Sequence, residues 1–118
     1  MNNESVQINA LLEMLKSGQI DEAKEKYLAD DVQTQEGNCP VVFGKSNAKE
    51  ASAAFQAKNN VTGFIAYEVG SVAISGNHSF YDVALLLQVN GKDTARIEQV
   101  VSTTWKDGKI INERYYHS

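Results

Sequence analysis

The chain has 118 residues, 42% of them hydrophobic, with 11 basic residues against 15 acidic ones and a net charge of −4. That length fits one domain spanning residues 1–118, large enough to bury a core and one pocket. Scattered Lys and Arg on an acidic chain exclude a nucleic-acid groove, which relies on concentrated positive charge.

In chain order, the start MNNESVQINALLEML has no basic region and no long apolar run, so it reads as neither a signal peptide nor a membrane span and predicts a cytoplasmic address. Ile8, Leu11, Leu12 and Leu15 recur at helical spacing, and Gly18 closes a first helix running from about residue 4 to residue 17. Ile20, Ala23, Tyr27 and Leu28 predict a short second helix, with Asp21 and Glu22 in the first turn where they suit the helix dipole. The run DEAKEK on this helix reads as a solvated face, with Glu22 and Lys26 paired four residues apart. ADDVQTQEG then opens a strand ending at Glu36, followed by a loop, GNCPVVFG. Ser46 is the expected N-cap of a third helix carrying Ala48, Ala51 and Phe55 on one face and ending near KNN.

From Val61 the period changes to two, and SGN, NG and DG punctuate an antiparallel meander. The strands AYEVGSVAIS, SFYDVALLLQV, DTARIEQVVSTTW and KIINERYYH are each about twice the usual five to six residues. Long twisted strands after three helices predict an α+β domain in which a curled antiparallel sheet forms a cone under a helical cover.

Register decides which side chains face the helices. A two-residue loop at Asn90-Gly91 would set Leu85 opposite Arg96 and Val83 opposite Glu98, mixing apolar and charged side chains. One extra residue, expected to set Leu85 opposite Ala95 and Val83 opposite Ile97, separates the faces and is preferred. The inner face then carries Tyr81, Val83, Leu85, Leu87, Ala95 and Ile97, continuing along the same strand through Gln99, Val101, Thr103 and Trp105. The outer face carries Asp82, Ala84, Leu86, Arg96, Glu98 and Val100; apolar Leu86 and Val100 among those charges predict a homodimer surface. At WKDGKI two registers stay open. A two-residue loop puts Ile110, Asn112, Arg114 and Tyr116 on the Trp105 face, and a three-residue loop puts Ile111, Glu113, Tyr115 and His117 there.

The order helix-helix-strand-helix followed by a long-stranded meander resembles the nuclear transport factor 2-like superfamily, with its cystatin-like fold, and in particular the SnoaL-like and ketosteroid isomerase-like members. LLEMLKSGQIDEAKEKYLADDVQTQEG resembles the opening helix pair and its exit into strand one, and VSTTWKDGKIINERYYH resembles the closing hairpin. The resemblance implies a cone whose open end admits small apolar ligands. It includes isomerases, cyclases, dehydratases, epoxide hydrolases and non-catalytic domains, so fold alone does not select a function.

Carried over residue by residue, the resemblance puts Glu36 where ketosteroid isomerases keep a proton-moving carboxylate. It puts Leu12 and Val101 where those enzymes keep their two oxyanion donors. One lost donor costs roughly 3 kcal/mol, so the absence of both argues against steroid isomerisation. Epoxide-hydrolase members use an arginine and two acids around a water, but Arg96 and Arg114 point away from the pocket on the preferred register.

The candidate acid–base set is Glu36, Glu113, Tyr115 and His117, the last three alternating on one strand and histidine being the side chain suited to proton transfer near neutrality. Two of them have a plainer alternative: Glu36 as a solvated strand end, His117 as a loose chain end. Tyr81, Gln99, Thr103 and Trp105 are candidate ligand-binding wall residues, although a Trp in the place of Trp105 is more often core than ligand platform. Val83, Leu85, Leu87, Val101 and Leu12 complete that wall and make it apolar. Cys39, beside Pro40 and with no adjacent base, reads as a passive thiol, and His78 as a surface turn residue. One cysteine and two histidines make no zinc set, and no phosphate-cradling or nucleophile-elbow motif occurs, so no metal and no cofactor are expected.

Two functions follow. One is a pocket for a small apolar molecule, with cofactor-independent acid–base chemistry of the isomerase, cyclase, dehydratase or hydrolase type. The other is a non-catalytic dimerisation or partner-binding module whose cone is filled by side chains.

Overall fold

The computed structural model describes residues 3–117. Its elements are α1 (Asn3–Lys16), α2 (Ile20–Tyr27), β1 (Leu28–Glu36), β2 (Val42–Phe43), α3 (Lys45–Lys58), β3 (Val61–Ser75), β4 (His78–Val89), β5 (Asp93–Lys106) and β6 (Lys109–His117). The fold is α+β, with three helices laid against one curved, unclosed sheet of strand order β2-β1-β6-β5-β4-β3. Among the described residues no helix is long and apolar enough to cross a membrane.

Local departures from the expected elements have physical causes. The loop after β1 contains a two-residue strand, β2, because Gln33 and Thr34 pair with Phe43 and Val42. Ser46 is not the N-cap of α3: Gly44 is, at φ 92°, a conformation open to a residue without a Cβ. The Gly44 N–H donates to the Val32 carbonyl at 2.7 Å, which ties the helix start to β1. Glu22 and Lys26 form no ion pair; the Lys26 ammonium lies 5.3 Å from the centre of the Tyr27 ring.

The sheet is mixed rather than wholly antiparallel. β1 runs parallel to β6, setting Thr34 against Glu113 and Glu36 against Tyr115, while the other pairings are antiparallel. Three register shifts along the β3–β4 pair bend the sheet around the helices.

Between β4 and β5 the turn holds the expected extra residue, since Val89 pairs with Asp93. The partners fall two residues further along than expected: Leu85 faces Ile97 and Val83 faces Gln99. A shift of two keeps parity, so the two faces separate as the sequence indicated.

The last hairpin combines both open registers. Asp107 (φ 52°) and Gly108 (φ 79°) make a two-residue left-handed turn, so Trp105 pairs with Ile110. A bulge follows, and beyond it Thr103 pairs with Glu113, Val101 with Tyr115 and Gln99 with His117. Ile110 and the Glu113, Tyr115, His117 series therefore share the inner face, which no bulge-free register allows.

The core lies where α1 and α2 meet that face: Ile8, Leu12 and Tyr27 pack with Val101, Trp105 and Ile110. Tyr27 meets Trp105 edge to face, with ring centres 5.8 Å apart and planes at 75°.

Candidate functional site

Strand pairing arranges the inner-face side chains in rows across the sheet. One row is Ser79, Thr103, Glu113 and Thr34; the next is Tyr81, Val101, Tyr115 and Glu36; a third is Val83, Gln99 and His117. The first row begins in sealed core, where the Ser79 and Thr103 hydroxyls bond to each other and the Trp105 indole N–H reaches both at 3.1 and 3.2 Å.

Glu113, at the other side of that row, is 7% exposed. The Tyr115 hydroxyl donates to its carboxylate. Burial pushes the Glu113 carboxyl above the usual carboxylate range, and the charge of Glu36 adds to the rise; the Tyr115 hydrogen bond and the charge of Lys24 oppose it. Burial likewise raises the phenols of Tyr67, Tyr81 and Tyr115, which keeps all three as neutral donors.

At the rim, His117 Nε2 lies 2.5 Å from Glu36 Oε2, with the two side chains 37% and 56% exposed. The strand ends are fastened beneath this pair. The Gly37 N–H donates to the Tyr115 carbonyl at 2.7 Å, and the Arg114 guanidinium donates to the Gly37 carbonyl at 3.1 and 3.3 Å. Arg114 also lies 4.8 Å over the Tyr116 ring. Arg96 bonds Glu98 at 2.9 Å and Glu68 at 3.2 Å. Neither arginine lines the cavity, as the sequence register implied.

Between the sheet, α2 and α3 lies a cavity of about 400 Å³. Glu36, Glu113, Tyr115 and His117 all line it, with Tyr81, Leu85, Leu87 and Gln99 from the expected wall. The other expected wall residues do not reach it. Leu12, Val83, Val101, Thr103 and Trp105 are at most 5% exposed and are packed into the adjoining core.

Several lining residues escaped the sequence reading, Tyr67 and Lys24 among them. Tyr67 alternates with Val69 on β3, but the bulges of that strand hide its facing from a simple period of two. Lys24 sits in the DEAKEK run assigned to solvent, yet its spacing from Ile20, Ala23 and Tyr27 puts it on the buried side of α2. Tyr67, Tyr81 and Tyr115 also change the view of the missing donors. Val101 cannot donate, but Tyr81 and Tyr115 flank it in the same row, so the cavity has hydroxyl donors at other positions than the ketosteroid isomerases do.

No protein-family model matches the sequence, and no curated protein sequence matches it. Solved structures do. A candidate SnoaL-like polyketide cyclase of Mesorhizobium loti is 25% identical with a TM-score of 0.73, covering 99% of this chain and 100% of that one. A second candidate SnoaL-like polyketide cyclase, from Jannaschia sp. CCS1, is 14% identical with a TM-score of 0.79, covering 98% of this chain and 88% of that one. TerC, co-crystallised with polyporic acid, is 16% identical with a TM-score of 0.76, covering 99% of this chain and 92% of that one. Fold and neighbours together define the class: the chain has the nuclear transport factor 2-like fold, and the solved structures it is similar to include candidate SnoaL-like polyketide cyclases and other proteins of that fold.

Proposed function

We propose that the cavity binds a small, largely apolar molecule and moves a proton on it without a cofactor. The observation that carries this reading is the convergence of Glu36, Glu113, Tyr115 and His117 on one otherwise apolar space of about 400 Å³. Glu36, oriented by His117, is the base at the rim. On ligand binding the Tyr115 hydroxyl turns from Glu113 and donates its one hydrogen to the oxygen on which negative charge develops. Leu85 and Leu87 hold the hydrocarbon part. TerC, of the same fold, has been co-crystallised with a small molecule, which supports a ligand here rather than a cone filled by side chains.

Deuterium exchange tests the chemistry directly. β-Tetralone, an apolar ketone with acidic α-hydrogens, is incubated with the protein in D2O and followed by proton NMR. Accelerated loss of the α-hydrogen signal, abolished in Glu36→Gln, is the expected result. A rate equal to that in buffer for tetralone and for other bicyclic ketones would remove the catalytic reading and leave binding.

The convex face supports a second role beside the first. Phe80, Val100 and Tyr116 are about 40% exposed there, within neighbouring strands and near the Glu68, Arg96 and Glu98 ion pairs. We propose that a second copy of the chain covers them. Light scattering at micromolar concentration gives the mass, and a monomer would refute the pairing.

A further inference from the structure

The acids of the cavity have partners: Glu113 accepts from Tyr115, and Glu36 faces His117. Lys24 does not. It is half-buried in the α2 wall, and its ammonium donates to the neutral Ser52 hydroxyl of α3 at 2.9 Å. Among the described residues no carboxylate lies within ion-pair distance of it. Lys45 and Lys49, by contrast, are matched outside the cavity with Glu25 and Asp30 at 2.8 to 3.9 Å. The Glu113 carboxyl feels the charge of Lys24 but makes no ion pair with it, so a half-buried ammonium whose direct partner is a neutral hydroxyl is incompletely compensated.

We propose that Lys24 makes the cavity selective for an apolar molecule bearing one anionic oxygen group, a carboxylate or an ionised enol, seated on the ammonium that Ser52 orients. This rests on the reading of the cavity as a binding site and adds the ligand's charge to it. The other charged groups facing the space do not forbid an anion. Burial raises the Glu113 carboxyl above the usual carboxylate range, against the Tyr115 hydrogen bond and the charge of Lys24, and Glu36 lies against His117 at the rim. An anion on Lys24 would gain a charge-assisted hydrogen bond that a neutral analogue of the same shape forms less strongly.

The test compares naphthoate and hydroxynaphthoquinone, a carboxylate and an acidic enol, with neutral acetylnaphthalene, by titration calorimetry at neutral pH. Wild type is expected to bind at least one anion about tenfold or more tighter than the neutral probe, the scale of a hydrogen bond to a charged group. Which anion is preferred separates carboxylate from enol. Lys24→Met, which keeps the length of the stem, should erase the preference for the anion over acetylnaphthalene, and Lys24→Arg should restore it. Equal binding of anions and neutral probe by wild type, or a preference that survives in Lys24→Met, would overturn the role of Lys24 and leave the cavity a neutral binding site. Absence of binding by all three probes would overturn both readings together.

Discussion

The inner face of the sheet has a sealed end and an open end, built from the same strands a few residues apart. At the sealed end the polar atoms satisfy one another: Ser79, Thr103 and the Trp105 indole form a closed set of hydrogen bonds under α1 and α2. At the open end the polar groups, Glu113 with Tyr115 and Glu36 with His117, line a space that only a ligand or water can fill. A polar row becomes structural or chemical according to whether helices cover it.

The sharpest way to break that contrast is at Trp105, which is 1% exposed and is the largest fully buried side chain of the described core. Trp105→Ala should lower stability by about 3–5 kcal/mol in urea unfolding, since it leaves a large void and strips the Ser79 and Thr103 hydroxyls of their donor. Leu85→Ala, on the cavity wall, already borders empty space and should cost less; an equal loss would mean that the two ends do not differ in packing.

Next in size is Tyr115→Phe. It removes the hydroxyl that donates to the buried Glu113 carboxylate, and should cost about 1–3 kcal/mol. The loss should grow as pH rises, because the hydroxyl stabilises the ionised form. Glu113 gives the pH arm of the comparison. Its folded pKa is raised above the unfolded value, first by burial, so its contribution to stability is fully present below the unfolded carboxylate pKa. That contribution is lost as pH rises through the folded value, at about 1.4 kcal/mol for each unit of separation. Glu113→Gln should flatten the fall in urea midpoint above the ordinary carboxylate range. An unchanged pH profile would show that the carboxyl is solvated in both states.

Much of this architecture was readable before any coordinates, and the unread part has a common cause. Helices α1 and α2 announce themselves through Leu and Ile spacing and a glycine stop, and β6 through the Asp107-Gly108 turn that precedes it. The faces of β4 and β5 were legible because parity survives an error of two residues in the turn. What the period could not show was the bulge at Ile111, which places Ile110 and Glu113 on one face although they are three residues apart. Local patterns also gave no access to the parallel β1–β6 pairing, which joins segments about eighty residues apart and brings Glu36 to Tyr115. The four acid–base candidates were therefore named from the sequence. The wall was misread where it packs into the core, at Val101, Thr103 and Trp105, and where polar character concealed an inward residue, at Lys24.

The smallest effect belongs to Glu36, and it is the one that separates structure from chemistry. The Glu36–His117 pair is short but 56% and 37% exposed, and an exposed pair is screened by water and gives up side-chain freedom to form. Glu36→Gln should therefore change stability by less than about 1 kcal/mol, because Arg114 and the Gly37 backbone hold the strand end without it. The same substitution is expected to abolish exchange of the tetralone α-hydrogens, since a carboxamide cannot act as the base. A large activity loss at nearly constant stability marks a group kept for its reaction. A stability loss comparable to that of Tyr115→Phe would instead make Glu36 part of the fastening between β1 and β6, and the open end would be structural after all.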